Sequence, residues 1–189
     1  MTAPAGRRER KKAQTRKALG DAALELFLER GYDQVGVREI ADAADVSVTT
    51  LFNYFPTKEA LVFDEDEDIE TALVATIRDR APGTSLFDAL RAHVTRRACD
   101  IAASPSSAGF ARMIDEAPAL HDYARRMWLR HETALARAIA ADLGAPDDDA
   151  RSAALARFAI ESIDLAWRRP DPERAITEIF GILEHGWVN

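Results

Sequence analysis

The residues between positions 47 and 54 include five polar, uncharged side chains that suit hydrogen bonding to a polar partner. On a helix, they would share the side opposite a stripe of apolar residues at helical spacing. A short, uncharged face of this kind suits the major groove of DNA, where base edges offer donors, acceptors and thymine methyl groups. An ordinary helical hairpin with a solvated face is the alternative that the pattern leaves open. The polar set is Ser47, Thr49, Thr50, Asn53 and Tyr54, and the apolar set is Val48, Leu51, Phe52 and Phe55.

A second short helix is predicted just before this one, with a tight turn between them. Its apolar stripe is Val37, Ile40, Ala41 and Ala44, and its polar residues are Arg38, Glu39 and Asp42. The turn is Asp45-Val46-Ser47. Aspartate tolerates the left-handed conformation better than most residues, and Ser47 is a good N-cap for the second helix. The pattern predicts a helix-turn-helix.

The same stretch resembles the tetracycline-repressor (TetR/AcrR) family of bacterial transcription regulators. The resemblance rests on Ile40-Ala41, Val46-Ser47 and Leu51, and on the run from Tyr54 to Leu61, which reads YFPTKEAL. It covers residues 10–62 strongly, whereas the rest of the chain agrees in length, helicity and position only.

The resemblance implies a division of labour among the DNA-binding residues. Arg38, Val48, Thr49 and Asn53 would lie nearest the base edges, and Thr50, Tyr54 and Lys58 would contact phosphates, with Ser47 capping the recognition helix. A solvated lysine is the alternative for Lys58. Tyr54 can instead be half-buried core, a position that is compatible with the phosphate contact.

The sequence departs from the family pattern at four places. Asp45 stands where a turn glycine is usual, and Phe52 replaces a tyrosine that can touch phosphate. Gly36-Val37 occupies a site where a hydroxyl residue is common, so Glu39 lacks the partner that completes a capping box. Asn53 replaces a larger aromatic or basic residue. The operator sequence therefore cannot be inferred from the family.

Composition predicts an all-α globular protein. The chain has 189 residues, 47% of them apolar and only 7% aromatic. We find no alternating β-branched run, no apolar stretch of membrane-spanning length and no signal peptide, so we expect a cytoplasmic protein without a membrane partner. Cys99 is the single cysteine and the four histidines are dispersed, which predicts no disulfide, no metal and no cofactor.

Charge is distributed unevenly along the chain. The net charge is −7, yet residues 1–17 hold seven basic side chains and one acidic one. Residues 1–58 contain ten basic and eight acidic residues, whereas residues 59–189 contain 15 basic and 24 acidic ones. A basic N-terminal arm can neutralise phosphates and a more acidic body limits indiscriminate binding. A merely solubilising tail is the alternative.

Turn and breaker residues divide the chain into about nine helices, the number that the resemblance implies. The predicted helices include one from about Arg8 to Arg30 that ends at Gly31, and one from Lys58 to about Arg80 that contains the acidic run from Asp64 to Asp68. The later helices are expected at about 84–103, 106–115, 119–143, 147–168 and 172–187. We assign residues 1–58 to the basic arm and helix-turn-helix domain, and 59–189 to a helical ligand-binding and dimerisation domain.

The last two helices carry wide apolar faces. In the family this pair packs against its copy, so a homodimer through residues 147–187 is expected, with intrachain core as the alternative. A small-molecule pocket is implied by the resemblance only. Its candidate lining residues are Phe110, Met113, Tyr123, Met127, Trp128 and His131, which equally suit plain core.

Together, these features predict a ligand-responsive bacterial transcriptional regulator, most simply a repressor, that binds a palindromic operator in double-stranded DNA and is released by an unidentified small molecule. The alternative is an architectural DNA-binding protein without an effector. No GxSxG, HExxH, glycine-rich phosphate loop or cysteine cluster occurs, so we expect no enzyme.

Overall fold

The computed structural model describes residues 6–186, and their regular secondary structure is entirely helical. Nine α-helices occur in this range, which confirms the predicted all-α class. Two single 3-10 turns supplement them, Tyr32–Gln34 and Glu59–Leu61. The helices are α1 (Arg7–Arg30), α2 (Val37–Ala43), α3 (Val48–Tyr54), α4 (Asp66–Arg78), α5 (Leu86–Ala103), α6 (Ser107–Glu116), α7 (Pro118–Leu143), α8 (Ala150–Trp167) and α9 (Pro172–His185).

The chain divides into two compact units. Unit 1 takes the described residues up to Glu65 together with residues 108–124, and unit 2 takes residues 66–107 and the described residues from Arg125 onward. Unit 1 therefore contains α1 to α3 and most of α6, and the boundary between the units falls within α7. The division into domains at residue 58 is a functional prediction and stays one.

Unit 1 is built on the long helix α1, against which α2 and the 3-10 turns pack. Leu19, Ala23 and Phe27 of α1 are buried, as their helical spacing predicts. The helix ends at Gly31, whose φ of 88° and ψ of 148° lie in a region that only glycine adopts readily. The predicted glycine stop is correct, although its conformation is extended rather than left-handed helical.

The turn between α2 and α3 closes as a Schellman motif. Asp45 has a φ of +52°, the left-handed conformation expected for it. Its N–H donates to the carbonyl of Asp42 at 3.1 Å, and the N–H of Val46 donates to the carbonyl of Ala41 at 2.9 Å. Ser47 then caps α3, its Oγ accepting from the N–H of Thr50 at 3.0 Å. These bonds satisfy the end of one helix and the start of the next.

The predicted helix from Lys58 to Arg80 is wrong in its first third. Glu59–Leu61 forms one 3-10 turn, residues 62–65 are turns, and α4 begins only at Asp66. The acidic run explains the break, because Asp66, Glu67 and Asp68 occupy the first turn of α4, where carboxylates favour the positive end of the helix dipole. The acidic run therefore starts α4 instead of lying inside a longer helix.

Unit 2 holds the larger apolar core. Helix α5 packs against α8, α9 and α4, and α8 packs against α9. The buried side chains include Leu90 and Val94 of α5 and Phe180 of α9, which is in tilted contact with Phe87 at 5.0 Å between ring centroids. At the end of α4, Arg80 pairs with Asp142 of α7 through two nitrogens, at 2.6 and 2.9 Å. Within residues 6–186, no helix is both long and apolar enough to cross a membrane.

The positive φ of Asp45 leads to a prediction about stability. We expect Asp45→Gly to raise the free energy of unfolding by roughly 0.5–1 kcal/mol, because the positive φ strains any residue with a Cβ. Chemical denaturation followed by circular dichroism measures the change. The matched control is Ala43→Gly two residues earlier, inside α2, which we expect to lower the same free energy by about 0.5–1 kcal/mol. Equal destabilisation by both substitutions would contradict the proposed strain.

Candidate DNA-binding surface

The polar face predicted for α3 is present on the surface of unit 1. Thr49 and Asn53 are exposed, and Thr50 and Tyr54 are half-buried. Leu51 on the opposite side is fully buried, whereas Val48 is half-buried at the first turn. The small side chains at the start of α3 let its backbone approach a groove, and the amide of Asn53 can address an adenine edge. The face therefore has the chemistry that base reading requires.

The hydroxyl groups of Ser47 and Thr50 are coupled. They lie 2.8 Å apart, and Ser47 Oγ already accepts from the Thr50 N–H. When the Ser47 hydroxyl donates to Thr50 Oγ1, the Thr50 hydrogen is free for an external acceptor. The cap therefore orients Thr50 in a way that suits its predicted contact with a phosphate.

Phe52 does not lie on the buried face where the spacing places it. Its side chain is 44% exposed, whereas Leu51 and Phe55 are buried. Leu51 faces inward from α3 and Phe55 follows one turn later at the C-cap, whereas Phe52 is rotated about 100° from Leu51. The assignment of Phe52 to the core stripe is wrong, and an apolar ring extends the outer surface of the recognition helix.

Arg16 belongs by its position to the basic arm of residues 1–17, but its contacts are structural. Its guanidinium donates to the backbone carbonyls of Tyr54 at 3.2 Å and Asp64 at 2.9 Å, and it lies 4.5 Å from the centre of the Phe55 ring. It thereby ties the end of α3 to α1. A signal was present in the sequence, because Arg16 lies three residues before Leu19 on the buried stripe of α1.

Lys58 also contacts the protein itself. Its Nζ donates to the carbonyl of Tyr32 at 2.6 Å and lies 4.0 Å from the centre of the Tyr32 ring. Partial burial lowers the pKa of Lys58, with Asp33 and Glu59 opposing the shift. The Tyr32 hydroxyl donates to Glu59 at 2.9 Å, and burial followed by this bond raises the pKa of Tyr32. Thr57 caps the 3-10 turn by accepting from the N–H of Ala60 at 3.2 Å.

The start of α2 has half of a capping box. Glu39 accepts from the backbone N–H of Gly36 at 2.9 Å and pairs with Arg30 at 2.7 Å. The Gly36 bond and then Arg30 lower the pKa of the Glu39 carboxyl. Glycine has no side-chain hydroxyl to accept the second bond of a capping box, from the backbone N–H of Glu39, as the sequence indicates. Arg38 on the same helix is exposed, so it is available to a partner.

The basic residues of the N-terminal arm occupy the first turns of α1. Residues 1–5 of the arm lie outside the described residues. Lys17 forms an exposed pair with Asp21 at 2.7 Å, and Arg16 is engaged as above. The remaining cations of the arm are exposed, which suits phosphate neutralisation. These are Arg7, Arg8, Arg10, Lys11 and Lys12.

The six candidate ligand residues divide between the two units. In unit 1, Phe110 and Tyr123 both contact Phe63, at 6.1 and 5.2 Å between ring centroids. Met113 is buried and lines a cleft of about 640 Å³ beside the end of α1. In unit 2, Met127 and His131 are buried, and Trp128 is in edge contact with the His131 ring. Their roles in ligand binding stay predictions.

The geometry agrees with comparisons to known proteins. The family model described as bacterial regulatory proteins, tetR family, matches residues 19–64. The regulator TcmR of Streptomyces glaucescens is 33% identical over 152 residues, which cover 76% of this chain and 67% of TcmR. Further curated regulators match over shorter segments that span 22% to 42% of their lengths.

Solved structures share the fold over nearly the whole chain. NalD of Pseudomonas aeruginosa, a secondary repressor of a multidrug efflux pump, superimposes with a TM-score of 0.64 at 18% identity, covering 94% of this chain and 98% of NalD. FadR of Bacillus subtilis, solved in complex with stearoyl-CoA, gives 0.60 at 16% identity, with coverages of 91% and 99%.

The helix-turn-helix and these matches define a helical transcription regulator. The chain belongs to the TetR family of bacterial regulatory proteins.

Lys58 contacts Tyr32 within the protein and is also predicted to contact a phosphate, and the two roles can be tested separately. We expect Lys58→Met to lower the free energy of unfolding by about 1–2 kcal/mol. The substitution removes the hydrogen-bond donor from the Tyr32 carbonyl and the cation from the face of the Tyr32 ring. Denaturant unfolding measures this loss, with Lys17→Met as the exposed control. If Lys58 also neutralises a phosphate, the slope of log affinity against log salt falls by about 0.9. An unchanged slope would contradict the phosphate contact, and an unchanged stability would contradict the structural role.

Proposed function

We propose that this TetR-family protein represses transcription by binding a palindromic operator as a homodimer, and that a small molecule bound within the helical body releases it from DNA. The observation that carries the proposal is the exposed, uncharged face of α3, with Thr49 and Asn53 outermost and Leu51 buried beneath. A major groove is the partner that this face fits. Such a protein works on chromosomal DNA and therefore in the cytoplasm.

The DNA contacts divide into two kinds. Arg38, Val48, Thr49 and Asn53 read base edges. Ser47 caps the recognition helix, and Thr50 and Tyr54 hold phosphates. The Tyr54 hydroxyl has no hydrogen-bond partner among the described residues, which supports a role toward an external acceptor. The exposed cations at the start of α1 add sequence-independent affinity that weakens with salt.

Selection of bound sites from random duplex DNA at near-physiological salt tests the operator. We expect one inverted repeat whose half-sites lie about one helical turn apart, since two copies of α3 related by a two-fold axis require that spacing. Recovery of no enriched sequence would contradict sequence-specific regulation and would favour an architectural DNA-binding protein.

Substitutions on α3 separate base reading from phosphate contact. We expect Asn53→Ala to reduce discrimination at one operator position by about 1–3 kcal/mol while leaving binding to random DNA nearly unchanged. Tyr54→Phe, which removes only a hydroxyl, should weaken operator and random DNA by a similar factor. Fluorescence anisotropy with both duplexes measures the two effects. Equal loss on both duplexes for Asn53→Ala would refute its base-reading role.

The last two helices support the homodimer. Phe158 and Leu165 of α8, two turns apart on one face, are 52% and 55% exposed, and Ile182 of α9 is 43% exposed. Three large apolar side chains on a pair of packed helices favour burial against a second copy. The helical spacing of the sequence also predicts Trp187 on this face, and this residue lies outside the described residues.

Introducing charge on this face should prevent dimerisation. We expect Phe158→Glu with Leu165→Glu to give a monomer of native helicity, because each ring or branched chain contributes about 1.5–3 kcal/mol when buried and a carboxylate there is costly. Sedimentation equilibrium measures the mass, and operator affinity should fall with it. Arg151→Glu, on the same helix at a side chain that is 92% exposed, is the control for added charge. A dimeric double variant would exclude this face.

Release by an effector requires the small molecule to bind the DNA-incompetent state more tightly, and the coupling equals that difference in affinity. The proposed ligand residues are Met127, Trp128 and His131 in unit 2 and, taken separately, Phe110, Met113 and Tyr123 in unit 1, and each of them is buried or half-buried. A mostly apolar lining with few polar groups is typical of small-molecule sites.

A further inference from the structure

His131 on α7 has a buried nitrogen without a hydrogen-bond partner. The residue is fully buried, and its Nδ1 is the one buried side-chain nitrogen or oxygen without a hydrogen bond among the described residues. An unpaired buried polar atom is costly and uncommon in a folded protein, so it calls for an explanation such as an external partner. The atom therefore marks the ring as a candidate contact for an external molecule.

The other ring nitrogen is held by the first residue of α4. His131 Nε2 lies 2.6 Å from Asp66 Oδ1, and Arg130 donates to the second oxygen of the same carboxylate at 2.5 Å. Glu70 is 3.9 Å from Nε2, beyond hydrogen-bonding distance. Because an ionised carboxylate only accepts, the ring hydrogen is on Nε2. In the neutral ring, Nδ1 is then an acceptor with a free lone pair.

The surroundings of the ring are apolar and aromatic. Met127 and Leu135 lie one turn before and one turn after His131 on the same buried face of α7. The half-buried ring of Trp128 meets the imidazole edge-on, with 5.2 Å between centroids and an angle of 88°. These mostly apolar neighbours disfavour a charged ligand at His131 and suit an apolar aromatic one.

We propose that His131 Nδ1 accepts a hydrogen bond from a hydroxyl group of a neutral, largely apolar effector, an aromatic alcohol or phenol in chemical class. Asp66 is the positioning residue that fixes the receptive tautomer. This inference rests on the proposed effector control and specifies its chemistry. Polarisation of the ring by the ligand strengthens the Nε2–H bond to Asp66, and so links the ligand to the residue at which α4 begins.

Two substitutions at position 131 separate the two ring nitrogens. A glutamine amide reaches the position of Nε2, so His131→Gln keeps a donor to Asp66 and loses the acceptor at Nδ1. An asparagine amide reaches the position of Nδ1, so His131→Asn keeps an acceptor there and loses the bond to Asp66. If either variant fails to fold, the measurement on the unmodified protein still decides the proposal.

The experiment uses the full chain labelled with 15N in histidine, and phenol and anisole as probes. The two probes share the aromatic ring, and only phenol carries a donor. We expect phenol to move the Nδ1 resonance of His131 upfield and to bind about tenfold more tightly than anisole, the factor for one hydrogen bond to an otherwise unpaired acceptor. His131→Gln identifies the resonance and should bind both probes equally, and His131→Asn should retain part of the preference for phenol.

Equal binding of the two probes to the unmodified protein, binding of neither, or phenol binding without a change at His131 Nδ1 would each overturn the proposal. Operator affinity, measured by anisotropy in parallel, tests the effector function separately. Phenol contact at His131 without any change in operator affinity leaves the site standing and removes the proposed release. Release by other molecules in the absence of phenol binding leaves the proposed release standing and removes the site.

Discussion

The recognition helix α3 is too short to hold its own orientation. A seven-residue helix is marginal in water, since nucleation costs more than so few backbone bonds return, so packing has to fix it. In unit 1 that packing is anchored by two cations. Arg16 bonds to the carbonyl of Tyr54 at the end of α3, and Lys58 bonds to the carbonyl of Tyr32 after α1. We propose that base reading depends on these internal contacts, because a displaced helix cannot place its side chains against the base edges.

This use of cations explains the charge pattern of unit 1. Arg16 and Lys58, the basic residues near the motif, contact carbonyl groups and aromatic rings, and α3 itself carries no charged side chain. We propose that its specificity comes from hydrogen bonds and the exposed Phe52 ring. We propose that the exposed cations at the start of α1 supply the attraction to phosphates. A count of charges along the sequence does not distinguish cations that bond within the protein from cations that are free to attract phosphates. The position of Arg16 on the buried stripe of α1 makes that distinction for this residue.

The sequence predicted most of what depends on local rules. The Ser47 cap, the left-handed Asp45 and the helix stop at Gly31 follow from turn and capping chemistry, and the structure agrees with each of these. The errors arise where tertiary packing decides. Phe52 has the spacing of a core residue, but a helix this short buries only Leu51 on that side. The helix predicted from Lys58 is interrupted because the 3-10 turn Glu59–Leu61 packs against α1 and the acidic residues from Asp66 onward start α4.

The acidic run shows why such packing is invisible in a linear pattern. Asp64 in unit 1 packs over Gly20 of α1, and burial, followed by the charge of Glu65, raises the pKa of its carboxyl despite the nearby Arg16. Two residues later, Asp66 in unit 2 accepts hydrogen bonds from Arg130 and His131. Glu67 and Asp68 are exposed in the first turn of α4. The neighbouring carboxylates of residues 64–68 thus differ in their partners and in their burial. The run is therefore a set of separate interactions and not one acidic patch.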